Sequence, residues 1–175
     1  MTCFTAEEVW SHLPAPHLRE KSVHMAKFVP PGELRSAIPD KQLKRLENWA
    51  RLVAVRNEVL KALEVARQEK FIGASLEAKV CLVAAGELEP LLEQYRAALP
   101  ALFIVSQVAL GGDSGSAMRE TEIPGLRIRI EKATGRKCDR CWNYSERVGQ
   151  DAHYPTVCER CSAALKEIEA ADNRP

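Results

Sequence analysis

No stretch of this sequence approaches the roughly 20 apolar residues that a membrane-spanning helix needs. The phosphate-cradling Walker loop, the GxGxxG turn of dinucleotide sites and the HExxH helix of zinc proteases are all missing. Nucleotide hydrolysis, hydride transfer and metal-dependent proteolysis therefore have no recognisable machinery here. The opening Met1-Thr2-Cys3-Phe4-Thr5-Ala6-Glu7-Glu8 turns acidic at once and has neither the basic nor the apolar region of a secretory leader, so none is expected. Long repeats and low-complexity tracts are absent, and the net charge is only +1.

That near-neutrality hides local imbalance. Between Lys41 and Lys70, eight Lys or Arg face four Glu; between Leu126 and Arg147, seven basic residues face Glu131, Asp139 and Glu146. Each stretch carries an excess of +4. Such an excess suits phosphate contacts, although a solvated face is the commoner use of a charge surplus.

The most informative residues are cysteines. Cys138-Asp139-Arg140-Cys141 and Cys158-Glu159-Arg160-Cys161 are two CxxC knuckles separated by sixteen residues. Each knuckle offers two thiolates from one tight turn, and two knuckles close a four-sulfur tetrahedral shell with no open position, the pattern of a structural Zn2+ site. The alternatives are a thioredoxin-like redox pair and two disulfides. A single zinc, bound for structure and not for chemistry, is the expectation. Four thiolates and Zn2+ together carry −2, so part of the second basic excess offsets the metal site itself. Cys3 and Cys81 remain; Cys81, in Val80-Cys81-Leu82-Val83, reads as a small buried thiol. Unpaired thiols and a thiolate metal site point to a reducing, cytoplasmic setting.

Along the chain the expected class is α+β: a helical-bundle segment, a small β-α-β-β unit and a four-cysteine zinc ribbon. Thr5-Ala6-Glu7-Glu8 reads as a capping box that opens a short helix through Val9, Trp10 and Leu13, stopped by Pro14 and Pro16. A Pro-, His- and Gly-rich connection follows to Pro39. Residues 41–70 read as one long helix with two neighbouring apolar stripes, Leu46, Trp49, Val53, Leu60, Leu63 and Leu52, Val55, Val59, Ala62, Ala66. So wide a face needs more partners than the short first helix supplies. After Phe71-Ile72-Gly73 the period changes. Residues 78–85 are a strand candidate, 86–99 a helix, 101–110 a second strand with Phe103 and Ile104, 111–125 a polar flexible linker, and 126–130 an alternating, half-exposed strand. Domains are expected at 1–75, 76–134 and 135–175.

Gly112-Asp113-Ser114-Gly115-Ser116 looks like the nucleophile loop of trypsin-like proteases, but that chemistry needs a positioned His and Asp. His12, His17 and His24 sit in or beside the proline-rich connection with no orienting partner. His153 lies near the second knuckle, where the cysteines already complete the shell.

The segment from Gly135-Arg136-Lys137-Cys138 to Cys161 resembles a zinc finger shared by formamidopyrimidine-DNA glycosylases and bacterial-type isoleucyl-tRNA synthetases. The long helix separates the two. Arg56-Asn57-Glu58-Val59-Leu60-Lys61-Ala62-Leu63-Glu64-Val65-Ala66-Arg67, followed by Lys70-Phe71-Ile72-Gly73-Ala74-Ser75-Leu76-Glu77-Ala78, is similar to the end of the synthetase's anticodon-binding bundle. Thr5-Ala6-Glu7-Glu8-Val9-Trp10 and Ser22-Val23-His24 resemble segments just upstream. Lys137-Cys138-Asp139-Arg140-Cys141-Trp142 and Val148-Gly149 match the synthetase form of the finger. The glycosylase expects a proline after the initiator Met, where this chain has Thr2.

The resemblance implies the C-terminal part of an isoleucyl-tRNA synthetase: the end of an anticodon-binding bundle and a zinc module. The family's His-Ile-Gly-His and Lys-Met-Ser-Lys-Ser motifs and its editing insertion are missing, so ATP belongs only to a complete enzyme and this chain is expected to be inactive alone. Its implied partners are tRNA(Ile) and the remainder of the synthetase. Anticodon loops are read through unstacked bases, with cations on phosphates and flat groups on bases. Arg136, Lys137, Arg140, Arg147 and Arg160 are the candidate phosphate contacts. Trp142 is either a stacking platform or a lid over the metal. Arg51, Arg56 and Arg67 either reach RNA or pair internally with Glu47, Glu58, Glu64 or another helix. A structural docking piece or a stand-alone nucleic-acid-binding paralogue is the alternative, and a glycosylase-type zinc-finger protein the remotest.

Overall fold

The computed structural model describes residues 2–14, 20–36, 39–112 and 118–172. His17 and all but the first residue of the Gly112–Ser116 motif lie outside them. The chain divides into two compact units, Met1–Leu46 and Glu47–Pro175. Among the described residues no helix is long and apolar enough to cross a membrane.

In the first unit, α1 (Cys3–His12) starts ahead of the expected capping box. Ala6 N–H donates to Thr2 O at 2.7 Å, closing the first turn on Thr2, which makes no side-chain cap bond. Thr5 therefore sits inside the helix, where it cannot cap. Leu13 is extended (φ −67°, ψ 143°), as the residue before a proline prefers. Glu7 accepts from Ser22 Oγ at 2.9 Å and Val23 N at 3.2 Å, tying the 3-10 turn Val23–Met25 to α1. The Pro-, His- and Gly-rich connection, expected to be ordered but without a sustained period, contains α2 (Pro31–Ser36).

Helix α3 (Asp40–Gln68) is the long helix. Its Leu52, Val55, Val59, Ala62, Leu63 and Ala66 are buried, at the three- and four-residue spacing of one helical face. Trp49 and Val53, from the other stripe, stay 50% and 38% exposed. The buried face packs in one core with β1 (Ala78–Ala84), α4 (Leu88–Gln94), α5 (Leu99–Phe103) and β4 (Leu126–Lys132).

A four-stranded sheet has the order β2-β1-β4-β3, with β2 at Gln107–Leu110 and β3 at Arg119–Glu120. β1 and β2 are parallel, joined by the α4–α5 crossover; β4 runs antiparallel to β1, and β3 to β4. The pairs Val80↔Ile130, Leu82↔Ile128 and Ala84↔Leu126 share one face, and their burial gives the alternation the sequence shows. Lys79, Cys81, Arg129 and Glu131 share the other, where Glu131 bonds both Lys79 Nζ (3.1 Å) and Arg129 Nη2 (2.7 Å). Cys81 is the small buried thiol expected, and burial pushes its pKa up.

Two expectations fail here. Residues 101–110 are not one strand: Leu99 to Phe103 is helical, Pro100 occupies its first turn, and Ile104 turns the chain at φ 58° before β2 begins. Leu99 and Phe103, four residues apart, are both fully buried on the same helical face. An apolar run alone does not distinguish strand from buried helix. The linker 111–125 also contains β3, and Glu122 N–H donates to the Glu58 carboxylate at 3.2 Å. Lys61 bridges Glu58 and Glu122, both at 2.8 Å.

Candidate metal centre

The first knuckle grows from a short hairpin, β5 (Arg136–Lys137) with β6 (Tyr144–Ser145), paired Arg136↔Ser145 and Lys137↔Tyr144. Cys138 N–H donates to Asn143 O (2.9 Å) and Trp142 N–H to Cys138 O (2.8 Å), which folds Cys138 and Cys141 into one turn. Trp142 takes the left-handed conformation (φ 64°) that the turn demands. At Gly135 (φ 90°) the chain passes so close to β6 that a Cβ would stand 2.3 Å from the Ser145 carbonyl carbon. The second knuckle opens α6 (Glu159–Asp172), with Cys161 in its first turn. Asp139 N–H donates to Thr156 O at 3.1 Å and draws the two knuckles together.

The four sulfurs of Cys138, Cys141, Cys158 and Cys161 all lie within 4.8 Å of one another. Cys141 Sγ and Cys158 Sγ are 3.7 Å apart. A Zn–S bond of about 2.3 Å gives a tetrahedral edge of about 3.8 Å, so the donor set has the size of a zinc shell. No disulfide joins any of these cysteines, and 3.7 Å is well beyond an S–S bond of about 2.04 Å. The electrostatics also suit a cation. Burial pushes the Cys158 thiol up to about 12, and the neighbouring sulfurs add to the rise. Burial acts the same way on Cys138, but main-chain N–H groups of Cys141, Cys158 and Arg140 outweigh it and bring that thiol down to about 6. Four thiolates this close repel one another, and a divalent ion at their centre removes the conflict.

Little else fills the module. Val148 and Val157 are buried beside the cysteines, with Tyr154 and Leu165 partly covered. The Asp151 carboxylate takes bonds from Lys166 and Ser162 on α6, which hold its pKa down at about 2. His153 is not near the sulfurs; it stacks edge-on with Tyr154 and sits 3.7 Å from Glu169 as an exposed loop residue.

Comparison with known proteins agrees with the geometry. A family model described as a zinc finger found in FPG and IleRS matches residues 135–164. The isoleucine–tRNA ligase of Syntrophotalea carbinolica is 45% identical over 94% of this chain. That of Geobacter sulfurreducens is 44% identical over 93%, and that of Thermotoga maritima 41% over 93%. The chain matches the zinc-finger region of isoleucine–tRNA ligases. It spans 17% of the length of each of these three ligases.

On this ligase-like module the six candidate RNA-contacting residues are all exposed but differently engaged. Lys137 Nζ lies 5.6 Å above the Trp142 ring, and Trp142 is 61% exposed. Arg147 lines an open groove of about 660 Å³ together with Lys79, Gln107, Asn143, Tyr144 and Arg160. Arg136 Nη2 donates to Pro155 O at 3.0 Å. Arg140 Nη1 is 3.8 Å from Cys161 Sγ, and Arg160 stands beside Cys141, whose sulfur raises the guanidinium pKa. Three arginines of α3 are engaged internally: Arg51 on Glu87 (3.6 Å), Arg56 on Leu102 O (2.9 Å) and Arg67 on Glu64 (2.5 Å).

Sequence reading missed the residues that seat the module. Ser106 Oγ donates to Leu76 O and accepts from Tyr144 N at 2.7 Å. The Gln107 side chain brackets Thr134, accepting from its N–H and donating to its C=O, both at 3.0 Å. Neither residue carries a local signal, because their partners are about thirty residues away.

Proposed function

We propose that this chain is the C-terminal tRNA(Ile)-binding portion of an isoleucine–tRNA ligase, a zinc-stabilised piece that recognises the anticodon arm. One Zn2+ is held by Cys138, Cys141, Cys158 and Cys161. The ion supplies a rigid crosslink between the two knuckles and no reactive position, since four protein ligands fill its shell. Aminoacylation, ATP and proofreading belong to the complete enzyme, whose other domains carry them. The partners are tRNA(Ile) and the rest of the synthetase, in the cytoplasm. The working division is an anticodon-bundle end at 1–75, a small α/β linker domain at 76–134 and the zinc module at 135–175.

The observation that carries this reading is the exposed Lys137–Trp142 pair on the metal-organised turn, in a chain similar to these ligases over nearly its whole length. A cation stacked on an accessible indole is a ready phosphate-and-base contact. Arg136, Lys137, Arg140, Arg147 and Arg160 are the proposed phosphate residues, and Trp142 the stacking residue. The competing reading is a docking piece that binds other parts of the synthetase and little RNA, favoured by the half-exposed Trp49 and Val53 on α3.

The test is binding of the zinc-loaded chain to tRNA(Ile) across a salt series, beside an anticodon-altered tRNA and duplex DNA. Selective binding with a steep salt slope is expected. Lys137→Gln should lower that slope by about one, and Trp142→Ala should cost about 1–3 kcal/mol. Equal or absent binding to all three would favour the docking reading, and preference for the duplex a glycosylase-like one.

A further inference from the structure

Two residues outside the zinc module repeat the Lys137–Trp142 arrangement. Beyond the end of α3, Lys70 takes the left-handed conformation (φ 57°), and Phe71 N–H donates back to Ala66 O at 2.9 Å. This turn sends Ile72 into the core, 3% exposed, and leaves its neighbour Phe71 outside, 42% exposed. Lys132, the last residue of β4, is itself exposed and holds its Nζ 5.7 Å from the centre of the Phe71 ring. The Lys137–Trp142 pair has the same form at 5.6 Å. We propose that Phe71 and Lys132 form a second nucleotide platform, on the sheet-and-helix body, which takes an unstacked base and its phosphate from the same RNA strand that meets Trp142. This rests on the RNA-binding part of the reading above.

The chemistry of the pair selects the ligand. Lys132 has no carboxylate partner among the described residues, and neither has the exposed Arg119 of β3. Lys79 and Arg129, by contrast, are both bonded to Glu131. An ammonium left unneutralised beside an aromatic face attracts an anion, and the open part of the ring attracts a flat group. A nucleotide supplies both. Ala62, Ala66, Phe71, Ile130 and Arg119 also line an open groove of about 420 Å³, within the roughly 300–1,000 Å³ of small-ligand sites. Lys137 follows Lys132 by five residues, so their Cα atoms are at most about 18 Å apart. The chain between them is held at Ala133, whose N–H donates to Glu77 O at 2.7 Å, and at Thr134 by the Gln107 side chain. The fold therefore fixes the spacing of the two platforms, and one looped single strand is long enough to touch both.

The experiment uses the full zinc-loaded chain and measures binding to tRNA(Ile) and to decauridine, a strand without secondary structure. Phe71→Leu, which keeps an apolar side chain but no ring, should weaken both about tenfold. Phe71→Tyr should bind as the parent does, and Lys132→Gln should lower the salt slope by about one. One decauridine per chain is expected, and that strand should also feel Trp142→Ala. Two strands per chain would overturn the shared strand. Competition by uridine monophosphate at equal nucleotide concentration would make this a free-nucleotide site, and equal competition by polyglutamate a mere anion patch; either would overturn the platform. Thermal melting and zinc content should match the parent in every variant. Should Phe71→Leu not fold, Lys132→Gln, at an exposed position, decides the point. Unchanged affinity and slope in both variants, with tRNA(Ile) still bound selectively, would overturn the second platform alone. A parent chain that binds no RNA would overturn the RNA-binding reading with it.

Discussion

The sheet-and-helix body and the cysteine module lie side by side in one chain and are held together by different forces. The body buries Leu52, Val55, Leu63, Leu92, Leu99, Phe103, Leu126 and Ile128 almost completely. The module has two buried valines and four cysteines. Apolar area removed from water stabilises the first; a domain as thin as the second needs a staple. One part is therefore conditional on an ion and the other is not.

Removing the staple should show the largest contrast. Cys141→Ser, or chelation of the zinc, withdraws binding free energy on the order of 10 kcal/mol that is also folding free energy. The expected result is loss of amide protection after residue 135, with α3 and β1 still protected in hydrogen exchange. Simultaneous loss in both regions would mean that the body depends on the module. The converse substitution is Phe103→Ala, which empties a fully buried site in the body. It should cost about 3–5 kcal/mol in a denaturant titration and leave zinc stoichiometry intact.

Smaller effects sharpen the contrast inside the module. Gly135→Ala asks for a Cβ where the Ser145 backbone already lies. A strained position of this kind costs about 1–3 kcal/mol, to be read as a weaker zinc affinity with the body's melting unchanged. The smallest effect is at Asp151. Its folded pKa of about 2 lies below the usual 3.8. Its contribution is therefore fully present above about pH 4 and lost as pH falls toward 2. The parent chain and Asp151→Asn should differ by a constant amount at every pH above that range at which zinc stays bound, as followed by the thermal melting of module fluorescence.

Much of this was legible because the signals were local. Two CxxC pairs state their chemistry in four residues each, and Leu126-Arg127-Ile128-Arg129-Ile130 alternates as a half-exposed strand must. The long helix was readable from its stripes, although which stripe is covered was not, because that depends on where β1 and β4 arrive. Phe103 was misplaced in a strand because a short apolar run fits either buried state. β3 had no apolar signature in Arg119-Glu120. The place of Arg140 was not legible, because sequence shows its charge and not the Cys161 sulfur 3.8 Å from its Nη1.

The bracket that Gln107 places around Thr134 has a consequence for association. Its amide offers a strand-like donor and acceptor to a residue that has already left the sheet. Together with the Ser106 hydroxyl, it makes the short passage from β4 to the first knuckle a stiff joint. A tethered binding head that swings freely loses orientational freedom each time it meets a ligand. Here most of that freedom is surrendered once, when the chain folds, so a ligand of the proposed Trp142 site would meet it already aimed.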